Sequence, residues 1–183
     1  MKHLFAALAI CVATHTQHTE AIPASGVEEN LAPEPIEEFI PDFSVITIDH
    51  AREYVEKIYP YAIKAQKEQS IPAPITIAIA CLETGYGRSV YAQKKNNHLG
   101  IRIYKNGKAG YRDFSSLDEC FDYYINMFNM ERYAPLKEIA IDDLPSFIKG
   151  LQDCGFNHRD KYSKKLTVMI DFLHLEELEY PMA

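Results

Sequence analysis

The stretch Ala80-Cys81-Leu82-Glu83-Thr84-Gly85-Tyr86-Gly87 decides how this chain is read. Upstream of it, Ile75, Ile77, Ala78, Ile79, Ala80 and Leu82 are apolar nearly all round a helical wheel. A helix with no polar face belongs in the middle of a core. Pro74 suits its first turn, because the missing N–H would have no partner there anyway. Gly85 and Gly87 end it. Glu83 thus stands at the exit of a core helix, surrounded by apolar side chains yet facing a loop. Burial disfavours the ionised form of a carboxyl and raises its pKa, which suits a general acid near neutral pH. From context alone, a helix-end Glu paired with a Lys or Arg is an equal reading.

Working outward, residues 47–69 place Ala51, Tyr54, Val55, Ile58, Ala62 and Ala65 on one side. That spacing predicts a helix capped by Thr47 and kinked or interrupted at Pro60, with Ser70-Ile71-Pro72 as its break. A short helix is expected over 88–95. Lys105-Asn106-Gly107-Lys108 then sits between alternating residues, and Asn-Gly is a strong hairpin-turn signal because both central positions need positive φ. Ser116-Leu117-Asp118-Glu119 reads as a capping box opening a helix to about residue 130. Asp142 or Asp143 caps another through Leu151, and a last helix is expected over 160–177. The fold class is mainly α, with about seven helices and one hairpin giving an α+β lobe.

The chain has 183 residues, 47% hydrophobic and 25% charged, consistent with one globular domain and short appendages. A net charge of −7 argues against a nucleic-acid binder, which needs a basic face, and against electrostatic docking on anionic membranes. It says little about glycans. Residues 1–21 read as an export signal: Lys2 and His3 precede the apolar run from Leu4 to Ala13, which falls short of the ~20 residues that span a bilayer. Lipidation at Cys11 is a secondary reading, disfavoured by the bulky Ile10 before it. Residues 22–46 are rich in Pro and Glu and read as a tether; the domain covers 47–180. Cys81, Cys120 and Cys154 lack zinc-ligand neighbours and read first as small buried hydrophobes, with no pairing fixed by sequence.

Two further stretches can carry chemistry. In Lys95-Asn96-Asn97-His98-Leu99-Gly100-Ile101-Arg102, Asn96 and Asn97 either hold a loop through backbone bonds or bind acetamido and hydroxyl groups. His98, with no second ligand at useful spacing, suits a loop or stacking role. In Gly155-Phe156-Asn157-His158-Arg159-Asp160-Lys161-Tyr162, the aromatics are either helix-junction core or flat faces for sugar rings.

Taken in order, these stretches resemble the glucosaminidase family of bacterial cell-wall hydrolases. Leu82–Ser89 matches its Leu-Glu-(Ser/Thr)-Gly-(Trp/Tyr)-Gly-(Lys/Arg)-Ser motif and Asn96–Arg102 its Asn-Asn-loop. Tyr111–Ser116, Glu131–Ala134 and the Leu151, Gly155, Phe156, Tyr162, Ser163, Lys165, Leu166 closure follow. The resemblance covers about 50–178. It implies a lysozyme-like helical domain with a small β-hairpin lobe, and hydrolysis of the β-1,4 bond between N-acetylglucosamine and N-acetylmuramic acid. It implies Glu83 as the acid, Tyr162 beside the reacting sugar, and Tyr86, Asn96, Asn97 and Phe156 in the cleft. No metal or cofactor is implied. The expected partners are peptidoglycan strands and an envelope machine that places a monomeric enzyme in the periplasm or cell envelope. Many members carry a second carboxylate in the hairpin lobe, and 101–111 contains none. Asp113 is the nearest acid. Water activation by Asp113, assistance by the substrate's acetamido group, and glycan binding with little turnover are the three consequences. A lytic transglycosylase, closing the intermediate with the muramyl 6-hydroxyl, is the alternative within enzymes.

Overall fold

The computed structural model describes residues 41–105, 107–157 and 161–181. The export signal, Cys11 and most of the tether lie outside the described residues. Helix α1 spans Asp49–Gln69, α2 Ala73–Thr84 and α3 Val90–Lys95. The hairpin strands β1 (Arg102–Lys105) and β2 (Lys108–Tyr111) follow, then α4 (Leu117–Met127), α5 (Leu144–Asp153) and α6 (Tyr162–Phe172). Three 3-10 segments complete the described part: Phe43–Val45, Glu131–Glu138 and Leu175–Glu177.

Helix α2 is the hub, as its composition requires. Every residue from Ala73 to Cys81 is buried, and α1 and α6 pack on either side of it. Nine consecutive buried residues need partners all round, so α2 cannot be peripheral. Pro74 sits in its first turn and Gly85, in the left-handed region, caps its end.

The start of α1 differs from expectation. Ile48 is the N-cap and makes no side-chain bond, so Thr47 does not cap. Nor does Pro60 interrupt the helix, which runs unbroken to Gln69. Pro60 and Glu56 are exposed, so the Glu56 carbonyl that loses its N–H partner is open to water. Ser70, at φ 55, ends α1 as its break signal predicted.

The Ser116 cap is real but its box is displaced by one residue. The Ser116 hydroxyl accepts from the Glu119 N–H at 3.1 Å, while the Glu119 carboxylate holds the N–H and hydroxyl of Ser115, both at 2.6 Å. Helix α4 stops at Met127, three residues short of expectation, and the 3-10 segment Glu131–Glu138 was unforeseen. Asp143 caps α5 by accepting from Ser146. Helix α6 ends at Phe172, where His174 at φ 52 reverses the chain and lets Leu175 and Leu178 turn into the core. Cys81 and Cys120 are free and buried, and Cys154 is free and partly buried.

The hairpin has the predicted two-residue connection, with Lys105 opposite Lys108 and Arg102 opposite Tyr111. It is fixed to the helices at its base. The Asn97 carboxamide oxygen accepts from Ile101 N–H at 2.9 Å, and its NH2 donates to the carbonyls of Ile101 at 2.8 Å and Arg112 at 2.9 Å.

Candidate active site

Between the hairpin and the helices lies a cleft of about 360 Å³. Helix α2 contributes Glu83 from its last turn, and the 99–104 segment forms one wall with Leu99, Gly100, Ile101, Arg102 and Tyr104. The rest of the lining comes from α4, the turn after it, the residues that follow α5 and the start of α6: Tyr123, Tyr124, Met127, Met130, Phe156, Asn157 and Tyr162. Among the described lining residues, Glu83 is the single carboxylate.

Glu83 is held by shape. Gly100 has φ +65, and a methyl group there would lie 2.6 Å from Glu83 Oε2 and 3.2 Å from its Cβ. The loop backbone therefore lies against the carboxylate, a closeness and a φ that only glycine supplies without strain. Replacing Gly100 by Ala is expected to lower activity at least tenfold while costing only about 1–2 kcal/mol of stability. Initial rates beside urea unfolding would separate the two effects.

Across the cleft, Tyr162 is buried, with its hydroxyl beside the side chains of Glu83 and Asn157. Burial first, and then the charge of Glu83, push the phenol well above its usual range. It stays a neutral O–H beside the carboxylate. Phe156 lines the same wall, and its ring lies 6.3 Å from that of Tyr162.

The other sequence candidates lie elsewhere. Tyr86 sits under the helix end, its ring edge-on to His50 and its hydroxyl donating to Met169 Sδ at 3.7 Å. Asn96 caps α3 in the left-handed region and donates to the Phe114 carbonyl at 3.1 Å. Asn97 is fully buried in its backbone clamp, the loop-holding use of the pair. None of these three is among the residues lining the cleft. Asp113 is exposed and pairs with Lys95 at 2.9 Å; it does not line the cleft either. Arg102, Tyr104, Tyr123, Tyr124 and Gly100 do line it and had no assigned role from sequence. Strand alternation was the signal available for Arg102 and Tyr104, which are two residues apart and share one face of the ribbon.

His98 braces the site from behind. Its Nδ1 lies 2.9 Å from the Tyr54 hydroxyl, the two rings stack, and its backbone N–H donates to Cys120 Sγ at 3.4 Å. Burial, with a smaller push from Lys57, lowers its pKa from 6.5 to about 4. Between those two values the unfolded chain binds a proton that the folded chain refuses. Stability is therefore expected to fall as pH drops from 6.5 to 4, by no more than ~1.4 kcal/mol per unit. The acidic caps are lowered by their bonds to Ser115 and Ser146: Glu119 begins to lose its contribution as pH falls through its ordinary 4.5, at the foot of this window, and Asp143 below 3.8. Urea midpoints between pH 7 and 4, with a flatter profile in His98→Gln, would check the assignment.

A helical lobe and a two-stranded hairpin that meet over one buried-side carboxyl are the architecture of a lysozyme-like glycoside hydrolase domain. Comparison with known proteins narrows the class: the chain belongs to the glucosaminidase family, whose model, described as mannosyl-glycoprotein endo-beta-N-acetylglucosaminidase, matches residues 59–175. It is similar to the peptidoglycan hydrolase FlgJ of Vibrio cholerae, 28% identical over 145 residues, covering 64% of this chain and 42% of that protein. It is also similar to the exo-glucosaminidase LytG of Bacillus subtilis, 22% identical over 156 residues, covering 72% of this chain and 55% of that one. The chain spans less than half the length of the FlgJ relatives it matches. Among solved structures, a peptidoglycan hydrolase mutant from Sphingomonas sp. A1 is 26% identical with a TM-score of 0.55, covering 67% of this chain and 96% of that chain. The catalytic domain of the autolysin Auto from Listeria monocytogenes shares the fold, with a TM-score of 0.58 at 20% identity over 69% of this chain and 85% of that one.

Proposed function

We propose that this chain is an exported peptidoglycan hydrolase that cleaves the β-1,4 bond between N-acetylglucosamine and N-acetylmuramic acid, with Glu83 as general acid. The observation that carries the proposal is the placement of Glu83: the one carboxylate among the described lining residues, held at the inner end of a sugar-sized cleft with aromatic walls. A glycosidic oxygen leaves poorly unless it is protonated as the bond breaks. Glu83 donates that proton. The neutral Tyr162 hydroxyl, beside Glu83 and Asn157, donates a hydrogen bond to the sugar next to the breaking bond. Phe156, half-buried on the same wall, gives it an apolar face.

Asp113 is poorly disposed to activate water, being outside the cleft and paired with Lys95. The substrate's own 2-acetamido oxygen then supports the positive charge that develops at the anomeric carbon, and water opens the resulting ring. The same single carboxylate favours a second reading, in which the muramyl 6-hydroxyl completes the reaction as in a lytic transglycosylase. Purified sacculi, digested and examined by mass spectrometry for their new ends, distinguish the two. Reducing N-acetylglucosamine ends support hydrolysis and anhydromuramyl ends support the second reading. Release of neither would leave a glycan-binding domain with little turnover. Export through residues 1–21 belongs to the same proposal, and fractionation of cells expressing the full chain tests it.

A further inference from the structure

Arg102 faces the cleft from the hairpin and serves no task in the mechanism above. It lies two residues from Tyr104 on β1, so both side chains leave the same face of the ribbon, and both line the cleft that holds Glu83. Tyr111 stands opposite Arg102 in the register. The guanidinium lies over the Tyr111 ring at 5.1 Å from its centroid, and Tyr111 stacks in turn on Tyr91 of α3 with centroids 3.8 Å apart. A planar cation resting on two stacked rings is already oriented, and it loses little further freedom when it binds.

Arg102 is held by Tyr111 and feels the field of Glu83, but it sits in no ion pair among the described residues. Lys64, Lys95 and Lys149 each pair with an Asp, and Arg112 packs its guanidinium against the rings of Tyr123 and Phe114. Among the described residues, the carboxylate that acts on Arg102 is Glu83, beyond ion-pair distance, in a chain of net charge −7. Glu83 and Arg102 are the two charged groups among the described lining residues. An anionic polymer entering this cleft meets Arg102, the cation among the described lining residues.

We infer that Arg102 forms a carboxylate-binding subsite that selects muramyl residues over neutral sugars, with the 80%-exposed Tyr104 as the flat face for the adjoining ring. The inference rests on the peptidoglycan proposal. The guanidinium fork matches a carboxylate through two parallel N–H donors. That carboxylate has two sources: the lactyl group of a peptide-free muramyl residue, or an acid of the peptide stem.

The test measures binding by titration calorimetry in the Glu83→Gln background, so that ligands are not consumed. The three ligands are a neutral N-acetylglucosamine oligomer, a peptide-free glycan of alternating N-acetylglucosamine and N-acetylmuramic acid, and the same glycan with stems. Arg102→Met is expected to reduce the preference for a muramyl ligand over the neutral one about tenfold, and Arg102→Lys, which keeps the charge but not the fork, by less. The preference should also shrink with added salt. A loss already present with the peptide-free glycan assigns the lactyl group, and a loss confined to the third ligand assigns the stem. An unchanged preference overturns the subsite, as does an equal loss on all three ligands or no measurable binding of either muramyl ligand. Circular dichroism confirms that the exposed substitution leaves the fold intact. Failure of the parent proposal reads out separately, as wild-type protein that releases no new ends from sacculi.

Discussion

Glu83→Gln is expected to lower turnover on sacculi about 10³-fold while leaving glycan binding and unfolding midpoint near their wild-type values. General acid catalysis contributes typically 10²–10⁴-fold, and the amide keeps the size and the contact with Gly100 but carries no transferable proton. The side chain is half-buried at the end of a helix whose core residues are untouched by the change. Loss of rate therefore reports on chemistry rather than folding. Single-turnover rates beside a binding isotherm make the distinction. A Glu83→Gln protein that still releases ends at the wild-type rate would remove Glu83 from the mechanism. Glu83→Asp, with the proton one methylene further back, should keep part of the rate.

The second large effect is expected at Asn97, far less conspicuous in the sequence. Asn97→Ala strips three hydrogen bonds from the hairpin base at once and leaves the Ile101 N–H and the Arg112 carbonyl without those partners, while the Ile101 carbonyl keeps the Arg112 N–H at 2.9 Å. Each unsatisfied buried group costs about 1–3 kcal/mol, so a total on the order of 3 kcal/mol is expected after partial rehydration. That corresponds to a Tm lower by on the order of 10 °C. Asn97→Asp should fail to rescue. It retains an acceptor for Ile101 but sets a second carboxylate oxygen against two carbonyls. Activity should fall with stability here, because the loosened segment carries Gly100 and hence the position of Glu83. Thermal unfolding and rate measured on the same preparations would test this coupling; full activity in a folded Asn97→Ala protein would break it.

Local chemistry was legible where a side chain acts on its own neighbours. Asp143 accepts from Ser146 as its spacing implied, and Lys105-Asn106-Gly107-Lys108 gave the register of the hairpin. Pro60 misled because a proline's cost depends on where its orphaned carbonyl points, and here the Glu56 side of α1 is solvated. Glu119 misled more finely: a cap position was correct, but the carboxylate reached Ser115 rather than Ser116. The uses of Asn96 and Tyr86 were not legible either. Both types can bind a sugar or hold a backbone, and only the surrounding carbonyls and rings settle which they do.

By itself, the sequence determined a buried helix over 75–84, which the structure extends back to Ala73, and its carboxyl at residue 83, because a run apolar on every side has one place to go and glycine ends it without strain. It determined the hairpin as well, through two residues that tolerate positive φ. Tertiary structure alone decided what Glu83 faces. Tyr162 arrives from 79 positions further along the chain, Gly100 closes over the carboxylate, and Arg102 enters from the hairpin, while Asp113 turns out to Lys95. These are encounters between distant segments, fixed by packing and by the Asn97 clamp rather than by any local preference.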